Sequence, residues 1–395
     1  MRVSTLGFQT DASNQMQSLE AEITQTQTEL STGIALQNAA DNPAAMAQVT
    51  QLNAQISASK QYQTNGSALN SNLQIEEQSL SDATTTMQSA RDLALEANNA
   101  ALTSSQRGDI ATQLQQLLQQ LVSTANSTDS NGNYLFSGET STTQPFAQSG
   151  TSVAYNGSTS VSQVQISSNQ RVSSGDSGAS VFMNIPAGNG TFTTAVGAGN
   201  TGSATIDTGT VTNPSQWVPD TYTIAFTDPT DYTVTNSEGA TVAGGTYTTP
   251  GAITFNGIST TITGTPAAGD TFTVASAGTG SAFSTLSNLI TALNNPNLSS
   301  AQINSQVGTA VQQIDSAVGN FSNVSASVGA RINSITTAGT TATATQTAMT
   351  GEVSNLQQVD YTAATTQLST QELGLQAAQE SYASIAKLSL FNYLQ

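Results

Sequence analysis

The chain has 395 residues, 25 of them acidic against seven basic, a net charge of −18, and only 8% charged residues beside 36% hydrophobic ones; such an acidic balance disfavours nucleic-acid partners and anionic membrane surfaces. It contains no Cys and no His, which removes disulfide frameworks, thiolate nucleophiles, the usual neutral-pH general base and the commonest metal ligands, so no Ser-His-Asp triad can form and no enzyme activity or cofactor is expected. No run reaches the roughly 18 apolar residues of a membrane helix, and residues 1–11 lack the apolar stretch of a cleavable leader, so the chain is expected to stay in the cytoplasm or to leave the cell by a route without one.

The first arm is rich in Ala, Gln and Leu and poor in Pro. Met16, Leu19, Ile23, Thr26 and Leu30 follow alternating steps of three and four, the seam of a coiled coil. Gly33 breaks that helix. Asn42-Pro43 restarts it, with Asn as N-cap and Pro at the first helical position. Val49, Leu52 and Ile56 continue the stripe to Asn65-Gly66. There the phase slips, because Leu69, Leu73, Leu80, Ala83, Met87, Ala90, Ala94 and Ala97 lie on a shifted face; this predicts one long kinked helix or two helices meeting. Thr103 and Gln106 form a capping-box pattern ahead of Ile110, Leu114, Leu117, Leu118 and Leu121.

From about Asn131 the texture changes to Thr, Gly, Ser and Val with recurrent turn signals. Tyr222, Ile224 and Phe226 alternate with polar or small residues, the pattern of a half-buried antiparallel strand. Asn256-Gly257, between two alternating runs, predicts a tight hairpin, and Asn156-Gly157 after Tyr155 predicts another. Gly269-Asp270 precedes a strand through Phe272 and Val274. The small-residue stretch 188–209 is expected to be mobile surface.

Near Ser281 the helical texture returns. Phe283, Leu286, Leu289, Ile290 and Leu293 mark a short helix ended by Asn294-Asn295-Pro296. Val307, Val311, Ile314, Val318, Phe321, Val324, Val328, Ile332 and Ile335 mark a long one. Tyr361, Ala364, Leu368, Gln371, Leu375, Ala378, Tyr382 and Ile385 close the chain in steps of three and four. The expected fold is mainly α with an inserted antiparallel β-domain, its terminal arms packed as a coiled coil or antiparallel helical bundle. The expected domains are 1–42 with 358–395 (terminal coiled coil), 43–148 with 281–357 (helical bundle) and 149–280 (β-domain). The terminal seams are thin, interrupted by Thr26 and Gln371. Neither helix buries its stripe alone, so the two ends must find each other, find copies of the same chain, or remain disordered; the plainer alternative is that they complete an ordinary monomeric bundle.

Several segments imitate chemistry. Gly175-Asp176-Ser177-Gly178 looks like a serine-protease nucleophile segment, but no His is present to take the proton. Asp207-Thr208-Gly209 with Asp176-Ser177-Gly178 looks like a carboxylate pair, yet both lie in one short Gly- and Thr-rich stretch rather than on two matched lobes. Ser57 with Lys60 and Ser384 with Lys387 have Ser-x-x-Lys spacing without the companion Lys-Thr-Gly. The run 129–133 aligns poorly with a calcium loop, because Gly138 falls where the bidentate Glu belongs; a polar turn is expected. Arg331, a rare cation, is read as the anchor of a carboxylate on a neighbouring helix or subunit, slightly ahead of a solvated surface charge.

Leu30-Ser31-Thr32-Gly33, then Asn38-Ala39-Ala40-Asp41-Asn42-Pro43-Ala44, resembles the N-terminal signature of bacterial flagellins and their relatives, and Ser327-Val328-Gly329-Ala330-Arg331-Ile332-Asn333 resembles their return-helix signature. The start Met1-Arg2-Val3-Ser4-Thr5, the segment Gly132-Asn133-Tyr134-Leu135-Phe136-Ser137-Gly138 and the ending from Gln367 through Leu394 resemble the hook–filament junction members of that family. Ile34-Ala35-Leu36 departs from it, since family members often carry basic residues after the glycine. The resemblance implies a flagellin-like axial protein of the bacterial flagellum, a structural adapter that assembles as a homo-oligomeric ring and templates the filament. Implied partners are the other hook-associated junction protein, flagellin and a flagellar export chaperone, with type III export to an extracellular location and no membrane insertion. Implied assembly residues are Met16, Leu19, Ile23, Leu30, Leu368, Leu375, Ala378, Tyr382, Ile385, Leu388 and Phe391; implied motif contacts are Asn42, Pro43, Arg331 and Asn333. Two alternatives stay open. One is a flagellin proper; the other is a secreted adhesin or hydrolase with a concave site in 150–280 on a helical stalk.

Overall fold

The computed structural model describes residues 5–99 and 101–391. Helices α1 (Thr5–Thr32), α2 (Pro43–Ala97) and α3 (Ser104–Ala125) precede the strands, and α4 (Ala282–Leu293), α5 (Ser300–Gln357) and α6 (Tyr361–Phe391) follow them. The architecture is thus mainly α with an inserted antiparallel β-domain, as the composition shifts predict. Two compact units form, one within residues 1–63 and 339–395 and one within 64–338.

In the first unit, α1 packs on α6. Gly33 ends α1 in the left-handed region at φ 72°, where a Cβ is disfavoured. The Gly33 N–H closes on the Glu29 carbonyl at 2.8 Å. The chain then pairs with the α5–α6 corner: Ala35 N–H donates to Gln357 O (2.7 Å) and Val359 N–H to Gly33 O (3.0 Å). Leu36 and Val359 are buried in this unit. Both restarting helices are capped by their own side chains. Asn42 Oδ1 accepts from Ala45 N–H at 3.1 Å, and Asp360 Oδ1 accepts from Thr362 and Ala363 N–H at 2.9 and 3.1 Å.

The second unit holds two cores. In the helical one, every residue of the shifted α2 stripe from Leu69 to Ala97 is buried, together with Ile110, Leu114, Leu118 and Leu121 of α3, all five marked residues of α4, and Val307, Ile314, Phe321, Val328 and Ile335 of α5. The phase slip at Asn65-Gly66 occurs inside one continuous helix. Gly66 is buried there, and a Cβ on it would lie 3.3 Å from Ile335 Cγ2, a close contact that would push the Ile335 side chain back by a few tenths of an ångström. Thr103 and Gln106 form the expected capping box of α3.

Hairpins β1 (Phe146–Ser149) with β2 (Ser152–Tyr155) and β3 (Gln163–Gln165) with β4 (Arg171–Ser173) lead to a π-helical turn at Ala179–Met183. Phe182 from that turn is the hub of the helical core. Its ring centroid lies 5.1–5.6 Å from those of Phe136, Phe146, Phe283 and Phe321. The predicted hairpin at Asn156-Gly157 is not formed: the β1–β2 turn comes earlier, with Ser149 opposite Ser152 and Gly150 at φ 63°. Asn156-Gly157 instead leaves β2, and the next residue's N–H donates to Ser137 O at 2.9 Å.

After the short β5 (Ile185–Pro186) come β6 (Phe192–Val196), β7 (Thr205–Ile206), β8 (Thr210–Val211), β9 (Thr221–Phe226), β10 (Asp231–Thr235) and β11 (Thr241–Thr246). Strands β12 (Gly251–Phe255), β13 (Ile258–Thr263), β14 (Thr271–Ser276) and β15 (Thr279–Gly280) complete the domain. One sheet has the order β11-β10-β9-β14-β6; the other is β12-β13-β7, with β8 also on β13; β15 pairs with β5. Tyr222, Ile224 and Phe226 point into a core shared with Phe192, Phe255, Ile258, Ile262, Phe272 and Val274. Asn256 and Gly257 sit at φ 44° and 73° in the two-residue turn that the Asn-Gly signal predicts. The stretch 188–209, expected as mobile surface, is built into both sheets instead. Phe192 and Ala204 supply the apolar anchors that its small residues concealed.

Candidate functional site

The terminal pair carries the sequence-derived seam. Met16, Leu19, Ile23 and Leu30 on α1 are half-buried, as are Leu368, Leu375, Ala378 and Tyr382 on α6, while most remaining positions of both helices are exposed. Thr26 and Gln371, the polar interruptions, are buried against each other: Thr26 Oγ1 donates to Gln371 Oε1 at 3.0 Å. A lone buried amide would cost an unpaired polar group; the pair removes that cost and fixes the register. The helices run antiparallel from the corner at Gly33 and Val359. In the antiparallel register set by Thr26 and Gln371, Leu30 and Leu368, Ile23 and Leu375, Leu19 and Ala378, and Met16 and Tyr382 fall at matching levels along the two helices. The seam therefore lies between the two ends of one chain. Ile385, Leu388 and Phe391 belong to α6, but their side chains lie outside the described residues. Leu373, on the outer face of α6, is 68% exposed. Asn42 and Pro43 open α2, and Asn333 is exposed on α5.

Arg331 anchors a carboxylate, on a loop rather than on a helix. Its Nη2 pairs with Asp176 Oδ2 and its Nη1 donates to Gly175 O at 3.1 Å. From the other side, Glu76 Oε1 on α2 accepts the Asp176 N–H at 3.1 Å. Residues 175 and 176 are thus clasped between α2 and α5. Glu76 is 2% exposed. Burial first, then the neighbouring Asp176 charge, pushes its carboxyl well above the usual range, against the opposing pull of Arg331. The composition of this cluster is two carboxylates and one guanidinium, so a protonated Glu76 leaves it neutral.

A raised folded-state pKa places a penalty on stability above the unfolded pKa. The penalty is absent below about pH 4.5, grows as the unfolded carboxyl ionises, and levels off once the folded one ionises too. Glu76→Gln keeps an acceptor for the Asp176 N–H and removes the titration. Its stability relative to the parent is expected to rise with pH from about 4.5 upward, as read from urea midpoints across a pH series. A difference that does not change with pH would disprove a neutral Glu76.

The imitations of chemistry resolve into structural bonds. Asp207 Oδ1 accepts from Gly209 N–H (2.9 Å), Thr260 Oγ1 (2.9 Å) and Thr261 N–H (2.8 Å), and so clips its own turn to β13. Asp176 is held in the clasp, and Ser177 Oγ accepts the Ser180 N–H at 3.3 Å at the start of the π-helical turn. Asp129 closes the polar turn after α3. Slight burial works against its charge, but hydrogen bonds from Asn133 and Asn131 outweigh it and hold its carboxyl below the usual range. Among the described residues no group of three or more His, Cys, Asp or Glu could hold a metal, and no helix is long and apolar enough to cross a membrane. Glu76 escaped the sequence reading, although its place between Leu73 and Leu80 at steps of three and four marks a charge inside an apolar seam.

Family models match three stretches of the chain. The bacterial flagellin N-terminal helical region covers residues 3–141 and the flagellin C-terminal helical region covers 311–394. Between them, the D2-like domain of flagellar hook-associated protein 1 covers 196–276. Flagellar hook-associated protein 3 of Salmonella typhimurium is 32% identical over 185 residues, which are 47% of this chain and 58% of that protein, so the chain matches little more than half the length of this curated relative. The crystal structure of hook-associated protein 3 from Legionella pneumophila is 32% identical, with a TM-score of 0.74, over 78% of this chain and 98% of that one. FlgL of Xanthomonas campestris is 30% identical, with a TM-score of 0.70, over 76% of this chain and 98% of its own.

Proposed function

The chain belongs to the family of flagellar hook-associated protein 3, and on that premise we propose that it is a structural, non-enzymatic adapter of the hook–filament junction. The observation that carries this reading is the pairing of flagellin-type N- and C-terminal helical regions, α1 on α6, around a fixed polar layer. A two-helix seam that is only half-buried leaves apolar area open to neighbours, and helices of this length gain order from contact rather than from propensity. The chain self-assembles into a ring through the terminal pair, with Met16, Leu19, Ile23, Leu30, Leu368, Leu375, Ala378, Tyr382, Ile385, Leu388 and Phe391 forming or supporting that contact. It templates flagellin on one side and meets the other hook-associated junction protein on the other. It reaches this extracellular place by flagellar type III export with a dedicated chaperone. The domain division 1–42 with 358–395, 43–148 with 281–357, and 149–280 belongs to the same reading.

Removing residues 361–395 tests it. Export and assembly are separated by assaying the medium and the cell-attached filaments independently, and by a full-length Leu368→Asp, Leu375→Asp variant that keeps the C-terminal segment. Expected is loss of attached filaments in both, with the full-length variant still secreted. Normal filaments on either variant would sink the adapter reading. A flagellin proper would instead dominate sheared filaments, where a junction protein is a trace component.

A further inference from the structure

The sequence contains five Asn-Gly steps, at 65, 131, 156, 189 and 256. Such a step is chemically special. Gly offers no side chain to shield its amide nitrogen, which can attack the Asn side-chain carbonyl carbon once solvent base takes the N–H proton. A C–N bond forms to Cγ, the Cγ–Nδ2 bond breaks, and ammonia leaves with a proton from solvent. Water then opens the cyclic imide at either carbonyl, giving Asp or the isoaspartyl isomer, whose main chain runs through Cγ. The reaction needs an amide free to rotate and a backbone free to bend.

The fold denies both at three of the five. Asn65 lies inside α2, where helical bonding commits the backbone, and its Nδ2 donates to Gln165 O at 3.3 Å. Asn189 uses both ends of its amide: Oδ1 accepts from Thr191 and Phe192 N–H at 3.0 and 2.9 Å, and Nδ2 donates to Thr208 and Gly209 carbonyls at 3.3 and 3.2 Å. Asn256 is fixed in its hairpin turn, with Nδ2 on Tyr222 Oη at 2.9 Å, while Gly257 O accepts from both Thr212 and Asn213 N–H at 2.8 Å. All three are half-buried.

The other two are exposed, and the Asn156 side-chain amide makes no hydrogen bond among the described residues. Asn131 reaches no further than its own turn, to the Asp129 carboxylate through its backbone N–H at 2.8 Å and through its side chain, and the Gly132 N–H makes a single 3.1 Å turn bond to Asp129 O. A Cβ on Gly132 would meet nothing within 4 Å, so the turn stands clear of the fold. At Asn156 the chain leaves β2, with its N–H on Pro145 O at 2.8 Å. Gly157 cannot be exchanged for a slower neighbour, because a Cβ there would fall 2.6 Å from Tyr155 Oη.

We propose that Asn131 and Asn156 are the deamidation sites of this chain, and that the fold holds Asn65, Asn189 and Asn256 in the amide form. Both products fall beside the same core residue. Phe136, fully buried, follows the first turn by a few residues, and its carbonyl accepts the Tyr155 hydroxyl at 3.1 Å just before the second. Conversion at 131 sets a new carboxylate two residues from Asp129, whose own charge already gathers the N–H groups of that turn. The isoaspartyl product lengthens the main chain there by one atom.

The test is incubation of the folded full-length chain in warm, mildly alkaline buffer, followed by peptide mapping with mass detection and isoaspartyl assay. Expected is conversion at 131 and 156 about tenfold or more faster than at 65, 189 and 256, because the protected sites must first open locally. In urea the five rates should converge. An Asn131→Ser, Asn156→Ser variant should lose nearly all early isoaspartyl product. Conversion at 189 or 256 as fast as at the exposed turns, or no preference in the folded chain, would overturn the proposal. Silence at one exposed turn would overturn the assignment there.

Discussion

Arg331→Ala is expected to destabilise the 64–338 unit by about 3 kcal/mol, the lower end for breaking a buried ion pair, since Asp176 keeps 27% of its side chain exposed. The loss is larger than the worth of the pair itself. Without the guanidinium, the Asp176 carboxyl loses its ion-pair partner beside the buried Glu76, and the Gly175 carbonyl loses its 3.1 Å donor. Residues 175–176 would then be held from the α2 side alone. Urea unfolding should show a lower midpoint with an unchanged slope. Adding Asp176→Asn in an Arg331→Met background should return a large part of the stability, because a neutral cluster no longer contains an unpaired charge. A single mutant within about 0.5 kcal/mol of the parent, the range of surface substitutions, would show that Arg331 is a surface charge after all.

The second large effect concerns the other side of the same turn. Phe182→Ala is expected to cost about 3–5 kcal/mol, the range for removing a buried aromatic ring. The ring is fully buried and touches four other phenylalanines drawn from the segment after α3, from β1, from α4 and from α5. A cavity at such a hub can close only by moving several elements together, which favours the upper part of that range. Phe182→Leu should recover much of the loss by refilling the volume. A cost of about 1 kcal/mol or less for the alanine variant, measured by urea unfolding, would contradict the assigned hub.

These two effects meet at residues 175–183, a segment whose letters imitate a protease motif and whose work is structural. Gly175 and Asp176 bind to α2 and α5 through the clasp, and Phe182 enters the helical core a few residues later. The resemblance to catalytic sequence arises because turns and helix caps draw on the same Gly, Ser and Asp that active sites use.

Periodicity and turn chemistry were sufficient for most of the architecture. The α1 and α6 seams, the shifted stripe of α2, the capping box at Thr103, the stop at Gly33 and the turn at Asn256-Gly257 are each written locally, since each depends on residues within a few positions of one another. The flagellin-type signatures at both ends were equally readable. What the sequence could not decide were the partners of its exceptions. Thr26 and Gln371 looked like flaws in two weak seams and are one hydrogen-bonded layer; Glu76 drew no attention in the pattern and is buried beside Asp176 and Arg331. Asn156-Gly157 had a hairpin's letters without a hairpin's pairing, and the small residues of 188–209 hid a fully buried Phe192. A polar or small residue at a core position is tolerated only when something distant in the chain satisfies it or fills the space beside it. That distant group is fixed by tertiary packing, which local patterns do not encode.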